Sequence, residues 1–202
     1  MGTSLIKQSS LASEIIQRLE NYLAELPVLD RPSWSFREQI LADNDSRVGE
    51  AEISQPLSTA IQIIIVELLA TAGVTFSGVV GHSSGEITAA YAAGYLTSRD
   101  AILIAYYRGL HCKLAASPMK DTKVAMLAVG TSMEDALELC ADPEFAGRVS
   151  VAASNSSSSI TISGDEDAIA ELQIIFSDEG KLARRLKGDQ AYHSAHMLPC
   201  FE

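Results

Sequence analysis

Positive charge is scarce in this chain of 202 residues, which has 15 lysine and arginine residues against 26 aspartate and glutamate residues. The formal net charge of −11 repels a phosphate backbone, so nucleic acid is not expected as a partner. An anionic small molecule would need a local cation that works against the overall field.

Cysteines and long hydrophobic runs are also few. The three cysteines are Cys112, Cys140 and Cys200, and their spacing matches neither a zinc site nor a disulfide framework. The first ten residues lack the apolar stretch of a signal peptide. The longest apolar run, residues 61–72, is too short to span a bilayer. We therefore expect a cytoplasmic protein with no metal site and no membrane partner.

What the chain does have is the composition of a folded globular protein, with 47% hydrophobic residues and a mean hydropathy of +0.13. Apolar spacing predicts helices over residues 4–26 and 36–41. A longer helix is predicted to begin at Pro56 and to end at Gly73. Its apolar residues run nearly all round, so we expect it to be packed on several sides.

The middle of the chain has the local pattern of an α/β protein. A short strand is predicted over residues 78–81, followed by a tight turn and a helix over residues 86–93. Thr97 and Asp100 form a capping-box pattern that begins another helix, over residues 97–117.

The pattern changes from residue 123 onward. Strands are predicted at 124–130, 148–154, 159–163 and 181–187, and helices at 132–140 and 165–180. This βαββαβ order is typical of a ferredoxin-like unit. We expect this subdomain to occupy residues 121–187 and to be inserted into an α/β body formed by residues 1–120 and 188–202.

Residues 81–85, GHSSG, match the nucleophile elbow G-x-S-x-G. Glycines at both flanks would let the chain turn tightly from strand to helix and expose the Ser83 hydroxyl. The N–H of Ser84, at the start of the helix, could then stabilise a developing oxyanion.

A serine nucleophile needs a base, and the four histidines are His82, His111, His193 and His196. His193 lies about 110 residues downstream of Ser83 in a segment that reads as a loop, and the order serine then histidine is that of α/β enzymes with this elbow. We predict His193 as the base, with His196 as the alternative. No orienting carboxylate is identified, because the aspartates at 165, 178 and 189 all lie at loops or caps.

Arg108 is a charged residue on an otherwise apolar face of the helix predicted over residues 97–117. Its neighbours on the same face include Ile104, Ala105 and Cys112, which are small or apolar, so its side chain is predicted to project from a core-facing stripe. A buried guanidinium needs an anion. That anion is either an internal carboxylate or the carboxylate of a substrate, gripped through two charge-assisted hydrogen bonds.

Seven segments carry a resemblance to a known family: QPLSTAIQ, VVGHSSGE, AAYAAGYLT, YYRG, MLAVG, AASNSSSSITISG and AYHSAHM. In this order and spacing they are similar to malonyl-CoA:acyl-carrier-protein transacylases. They most resemble the acyltransferase domain of fungal iterative, highly reducing type I polyketide synthases. The resemblance implies an α/β-hydrolase-like body with an inserted ferredoxin-like subdomain.

The resemblance also implies roles for individual residues. Ser83 would be the acyl-accepting serine, His193 the catalytic histidine and Arg108 the ligand of the malonyl carboxylate. The other substrate-binding residues would be Gln55, His82, Ser84, Asn155 and Tyr192. The family's histidine is oriented by a backbone carbonyl, which accounts for the missing acidic residue. No cofactor is implied beyond the CoA thioester. The expected partners are malonyl-CoA, the phosphopantetheine thiol of an acyl carrier protein, and other polyketide synthase domains.

The chain also departs from the family pattern. The family's Gly-Gln-Gly-x-Gln segment does not precede Met1, Gly188 and Gln190 replace apolar residues, and Ala195 stands where a histidine is common. We therefore expect a fragment of a longer domain. Two other functions remain as alternatives to acyl transfer. One is a serine esterase or thioesterase, whose acyl pocket is not expected to contain a cation such as Arg108. The other is an inactive remnant that acts as an interaction module.

Overall fold

Two separate hydrophobic cores organise the chain in the computed structural model, which describes residues 2–42, 47–112, 123–188 and 190–201. The chain divides into two units, Met1–Leu110 and His111–Glu202. The described residues form a mixed α/β structure. The predicted limit between body and inserted subdomain, at residues 120 and 121, lies outside the described residues, so that assignment stays a prediction.

The described part of the first unit is helical. Its helices are α1 (Thr3–Gln8), α2 (Ser10–Ala24), α3 (Phe36–Leu41), α4 (Ala51–Thr71) and α5 (Gly85–Ala92), and α6 (Ser98–His111) continues to the first residue of the second unit. The core between them contains Leu19, Phe36, Ile53 and Tyr106, all at most 1% exposed.

The predicted single helix over residues 4–26 is wrong, because the structure has two helices that are separated at Ser9. The Ser9 backbone is extended, and its hydroxyl accepts a hydrogen bond from the Ala12 N–H at 3.2 Å. A serine that caps a new helix in this way favours a break over a continuous helix.

Helix α4 begins at Ala51, so the prediction that Pro56 opens it is wrong. Pro56 is the sixth helical residue, where its missing N–H removes only the bond to the Glu52 carbonyl. The packing of α4 is also less complete than predicted, because Ile65 and Leu69 are 45% and 38% exposed.

By length and composition α4 could cross a membrane, and it is the one such helix among the residues described. Its Ile53 and Ile63 nevertheless lie in the core of the unit, and core helices of soluble proteins pass the same test.

Residues 78–81 do not form the predicted strand. A strand needs a neighbouring backbone to pair with, and the described part of the first unit contains no strand.

The starts of the next two helices, α5 and α6, agree more closely with the sequence prediction. α5 begins one residue before its predicted start. The Thr97–Asp100 capping box is confirmed, with both N–H···O distances at 3.1 Å. The predicted end of the last helix, at residue 117, lies outside the described residues.

The second unit contains a four-stranded antiparallel sheet. Its elements are β1 (Val124–Val129), α7 (Met133–Ala141), β2 (Val149–Ser156), β3 (Ser159–Asp165), α8 (Glu166–Asp178) and β4 (Ala183–Arg185). They follow one another in the predicted order, and the strand order in the sheet is β2-β3-β1-β4. Leu127 of β1 and Val151 of β2 both pair with Ile162 of β3.

The two faces of this sheet differ in character. Ile160 and Ile162 of β3 pack with Leu172 and Phe176 of α8 in the second core. Side chains alternate along a strand, so Thr161, Ser163 and Asp165 point to the opposite face. These three polar residues are buried as well.

Candidate active site

Ser83 lies at the centre of a tight turn at the start of α5. Hydrogen bonds close the turn, from the Gly85 N–H to the His82 carbonyl at 3.0 Å and from the Glu86 N–H to the Ser83 carbonyl at 3.1 Å. The φ of Ser83 is +54°, a left-handed conformation that is strained for a residue with a Cβ. Ser83 is exposed. The turn therefore presents this serine to the surface of its unit, as an elbow does.

The two glycines of the motif are not equivalent. A Cβ on Gly81 would lie 2.3 Å from the Glu86 nitrogen and 2.4 Å from the Gly85 carbonyl carbon, so only glycine fits where the chain enters the turn. Outside its own helix, the described atom nearest to a Cβ on Gly85 would be the Gln62 Nε2 at 4.0 Å, and the φ of Gly85 is one that other residues adopt. The expectation that glycine is needed at both flanks is therefore confirmed only for Gly81.

Ser84 and His82 flank the serine. Ser84 is the N-cap residue of α5 and already has helical angles (φ −62°, ψ −18°). N–H groups at the start of a helix point away from the helix and lie at the positive end of its dipole, which suits the predicted contact with an oxyanion. His82 is exposed and, with Phe76 and Val79, lines a groove of about 380 Å³ beside the turn.

Arg108 and Gln55 meet between α6 and α4. The Arg108 Nη1 donates a hydrogen bond to the Gln55 Oε1, and both residues are half-buried. The predicted apolar stripe is narrower than expected, because Ala105 is fully buried whereas Ile104 is 44% exposed. The amide oxygen of Gln55 carries no net charge, and this contact orients the guanidinium.

Gly109 explains how α6 comes so close to α4. A Cβ at this position would lie 2.4 Å from the Ala51 carbonyl oxygen and 3.0 Å from the Glu52 Cα. The absence of a side chain thus lets the two backbones touch one residue away from Arg108.

The remaining predicted residues lie in the second unit. His193 is exposed, and the hydroxyl of the half-buried Tyr192 lies 3.2 Å from the Cys112 Sγ. Asn155 is exposed near the end of β2, and its Nδ2 donates to the Thr161 hydroxyl at 3.2 Å. The segment that follows His193 is not a plain loop as predicted, because a 3₁₀ helix covers Ala195–Phe201.

Ser83 and His193 share a backbone property. They have φ values of +54° and +61°, and within the described ranges they are the non-glycine residues with positive φ. Strained backbone of this kind concentrates at active sites. The two residues belong to different units, so their pairing as nucleophile and base stays a prediction.

Sequence reasoning missed a buried pair formed by His196 and Asp165. His196 is 2% exposed and Asp165 is fully buried, and the His196 Nε2 lies 3.0 Å from the Asp165 Oδ1. His196 is therefore poorly placed to act as the alternative base. The sequence showed one half of it, because the alternation of Thr161, Ser163 and Asp165 puts three polar side chains on one face of a strand, but nothing local identifies His196 as the partner.

The other two aspartates weighed as orienting carboxylates are not part of this pair. Asp178 is the last residue of α8, and Asp189 lies outside the described residues.

In the part of the chain that the structure describes, no group of three or more histidine, cysteine, aspartate or glutamate residues could hold a metal ion.

A family model described as the acyl transferase domain matches residues 1–201. The chain belongs to this acyl transferase family. It is 68% identical over 203 residues to the highly reducing polyketide synthase sthA of Phaeosphaeria nodorum and 66% identical to the highly reducing polyketide synthase bet1 of Neocamarosporium betae. Each alignment covers the whole of this acyl transferase chain but 7% of the synthase.

Solved structures give the same result for the fold. The acyltransferase domain from module 8 of the salinomycin polyketide synthase is 26% identical, with a TM-score of 0.83 over 98% of this chain and 44% of its own. A loading acyltransferase from the avermectin polyketide synthase is 26% identical, with a TM-score of 0.83 over 98% of this chain and 60% of its own. The resemblance to acyltransferase domains of polyketide synthases is therefore confirmed. The acyl transferase chain spans about half the length of these solved relatives.

Proposed function

We propose that this acyl transferase domain moves a malonyl group from malonyl-CoA, through an ester on Ser83, to the phosphopantetheine thiol of an acyl carrier protein in polyketide synthesis. The observation that carries the proposal is the exposed, strained Ser83 at the N-terminus of α5. The match of residues 1–201 to the acyl transferase family supports it.

In the first half-reaction, His193 accepts the Ser83 hydroxyl proton while Oγ attacks the thioester carbon of malonyl-CoA. The charge that develops on the carbonyl oxygen is stabilised by the Ser84 N–H and by the dipole of α5. The carbon–sulfur bond then breaks, and the departing CoA sulfur takes the proton from His193. The product is a malonyl ester of Ser83.

In the second half-reaction, the carrier thiol replaces CoA. His193 accepts the thiol proton, the sulfur attacks the ester carbon, and the carbon–oxygen bond to Ser83 breaks as Oγ recovers a proton. The reaction needs no cofactor beyond the thioester itself. Its partners are the carrier protein and the other domains of a cytoplasmic polyketide synthase.

Arg108 supplies the preference for a free carboxylate. Its Nη1 donates to the Gln55 oxygen, and a guanidinium can bind the carboxylate of a malonyl group through two charge-assisted hydrogen bonds. The other proposed substrate contacts come from Tyr192 and Asn155 in the second unit and from His82, the residue before Ser83. Tyr192 would crowd a methyl group on the substrate, and Asn155 and His82 complete the substrate contacts.

The finer architecture belongs to the same proposal. The βαββαβ order and the β2-β3-β1-β4 antiparallel sheet support a ferredoxin-like subdomain over residues 121–187. Residues 1–120 and 188–202 would then be parts of an α/β-hydrolase-like body. The esterase, thioesterase and inactive-remnant alternatives are not favoured, because the chain matches acyl transferases and carries a cation at Arg108.

The test is the formation of a covalent acyl-enzyme with malonyl-CoA, read by intact mass spectrometry. Ser83→Ala should form no adduct, whereas Ser77→Ala, at an exposed serine of the preceding segment, should load like the parent. His193→Ala should load about 10²- to 10⁴-fold more slowly. A malonyl adduct on Ser83→Ala would overturn the assignment of the nucleophile.

A second arm tests the substrate. One charge-assisted hydrogen bond contributes about 1.5–3 kcal/mol, so Arg108→Ala should slow malonyl loading by about one to two orders of magnitude, at about 1.4 kcal/mol per decade. Acetyl loading should be spared, and Tyr192→Ser should admit methylmalonyl-CoA. If Arg108→Ala leaves the ratio of malonyl to acetyl loading unchanged, the malonyl assignment is wrong.

A further inference from the structure

His196, three residues after His193, is buried together with Asp165, the last residue of β3. His196 and Asp165 are 2% and 0% exposed, and their Nε2 and Oδ1 atoms are 3.0 Å apart. The Arg148 Nε lies 3.7 Å from the other carboxylate oxygen. A carboxylate this deeply buried is retained only where partners compensate for its lost hydration.

Ser194 links this pair to both sides of His193. Its hydroxyl donates to the Ala191 carbonyl at 2.7 Å, accepts from the His196 N–H at 3.3 Å, and lies 2.9 Å from the His196 Nδ1. Hydrogen bonds therefore connect residues 191, 194 and 196 around His193, and the His196 Nε2 ties the group to β3.

His193 needs such support. Its φ of +61° is unfavourable for a residue with a Cβ, and a strained backbone persists only where its surroundings over-determine it. The local bonds of Ser194 fix the shape of the turn. The bond between His196 and Asp165 fixes the turn to the sheet.

We propose that Asp165 and His196 are positioning residues that clamp residues 191–196 to β3 and so hold His193 in the orientation required for proton transfer. The proposal rests on the proposed function of His193 as the base. The Asp165 side chain makes no capping bond to α8 although Asp165 is its N-cap residue, and His196 is buried with a polar atom at each ring nitrogen.

Two amide substitutions separate the two contacts of the imidazole. His196→Gln places an amide nitrogen near the position of Nε2 and keeps a donor for Asp165. His196→Asn places its amide near the position of Nδ1, towards Ser194, and loses the contact with Asp165. Ser163→Ala is the matched control, because Ser163 is buried on the same face of β3, two residues from Asp165, and its hydroxyl has no hydrogen-bond partner among the described residues.

The first measurement is backbone hydrogen exchange over residues 191–197 in the 202-residue protein, with exchange in β1 and β3 as the check on folding. His196→Asn should exchange at least about tenfold faster in this segment, whereas His196→Gln and Ser163→Ala should stay close to the parent. If His196→Asn does not fold, Asp165→Leu gives the same comparison, because leucine has nearly the size of aspartate but no acceptor for the His196 Nε2.

The second measurement is the rate of Ser83 acylation as a function of malonyl-CoA concentration. A displaced base should lower kcat by about 10- to 100-fold and leave KM within about threefold, and His196→Gln should recover most of the loss. A purely structural role would not separate kcat from KM or distinguish glutamine from asparagine in this way.

The outcomes separate the two proposals. If His196→Asn exchanges like Ser163→Ala, the clamp is wrong. If exchange accelerates while acylation keeps its rate, the pair does not position the base and the proposal is overturned. If the parent forms no malonyl ester, the proposed function fails, and the exchange measurement alone decides whether the clamp exists.

Discussion

Among single residues, Gly81 determines most directly how the serine turn can form. Any Cβ at this position would meet the backbone of Gly85 and Glu86 within 2.5 Å, and a backbone neighbour cannot move aside as a flexible side chain can. Gly81→Ala should therefore displace Ser83 and slow its acylation by about 100-fold or more, since a displacement near 1 Å has that effect. The measurement is the rate of malonyl-enzyme formation.

Gly85→Ala is the matched comparison for Gly81→Ala. The new methyl group has room at Gly85, and alanine is favoured over glycine in a helix by about 0.5–1 kcal/mol. We expect a slightly raised free energy of unfolding and an acylation rate within about threefold of the parent. Equal losses in the two variants would show that the motif depends on glycine for another reason.

Tyr106 should make the protein sensitive to alkali. Burial, with the nearby charges of Glu52 and Asp30, raises the pKa of Tyr106 to about 12, and its hydroxyl donates to the Asp30 carbonyl at 2.7 Å. An unfolded tyrosine has a pKa near 10. The neutral phenol therefore stabilises the fold fully below about pH 10, and this contribution, on the order of 2–3 kcal/mol, is lost as the pH rises towards 12.

Denaturant unfolding at pH 9 and at pH 11.5 measures this loss. Tyr106→Phe should lower stability at pH 9, where the hydrogen bond is missing, and should reduce the further drop at pH 11.5. Tyr95→Phe is the control, because the Tyr95 side chain is 85% exposed. An alkaline drop of the same size in Tyr106→Phe would assign it to other groups.

At the scale of helices and strands, local signals in the sequence were sufficient where local contacts determine the structure. α3 has its predicted bounds because Ser35 and Glu38 form a complete capping box. The predicted start of α4 at Pro56 was wrong because contacts distant in sequence support the turns before it. One of them is the hydrogen bond from the Trp34 Nε1 to the Glu52 Oε1 at 3.3 Å.

The candidate site follows the same division. Ser83 and Arg108 could be found from short motifs, since an elbow and a charge on an apolar face are local patterns. The pair of Asp165 and His196 could not, because these residues are separated by 31 positions and meet only when the 191–196 segment folds against β3. A strand at residues 78–81 likewise depends on a partner backbone that a local pattern does not specify.

The crossing of α6 and α4 gives a prediction about these two elements. Gly109→Ala would place a Cβ 2.4 Å from the Ala51 carbonyl oxygen, which forces the helices apart. We expect a loss of about 1–3 kcal/mol in the free energy of unfolding, as for other overpacked sites. Weaker discrimination of malonyl from acetyl should accompany it, because Arg108 would move away from Gln55.

Gly49→Ala is the control for Gly109→Ala, because among the described residues no atom beyond its chain neighbours lies within 4 Å of its Cβ position and its φ is not positive. Denaturant unfolding and competition between malonyl-CoA and acetyl-CoA give the two readouts. An unchanged stability of Gly109→Ala would mean that the helices can separate at no cost.

For the whole molecule, exposed apolar surface on the first unit should govern how the isolated chain behaves in solution. Val80 is 94% exposed, and Ile65, Phe76 and Val79 beside it in the groove are 40–45% exposed. Contiguous apolar surface of this kind promotes association. We expect the chain to self-associate at micromolar concentration, and Val80→Ser to shift it towards the monomer.

Size-exclusion chromatography with light scattering measures this shift. Ile174→Ser is the control, because Ile174 is 61% exposed on α8 in the other unit. An equal shift in both variants would assign the association to general hydrophobicity rather than to the surface around Val80.

The left-handed backbones of Ser83 and His193 place stability and activity in opposition. Glycine would adopt both conformations without strain, so selection for thermal resistance alone would favour glycine at residues 83 and 193. The same replacements would remove the two groups proposed to carry the chemistry. In a library of variants, glycine at residues 83 and 193 should therefore rank high when the variants are sorted by stability and low when they are sorted by turnover. That reversal would reveal the reactive residues without any knowledge of the substrate.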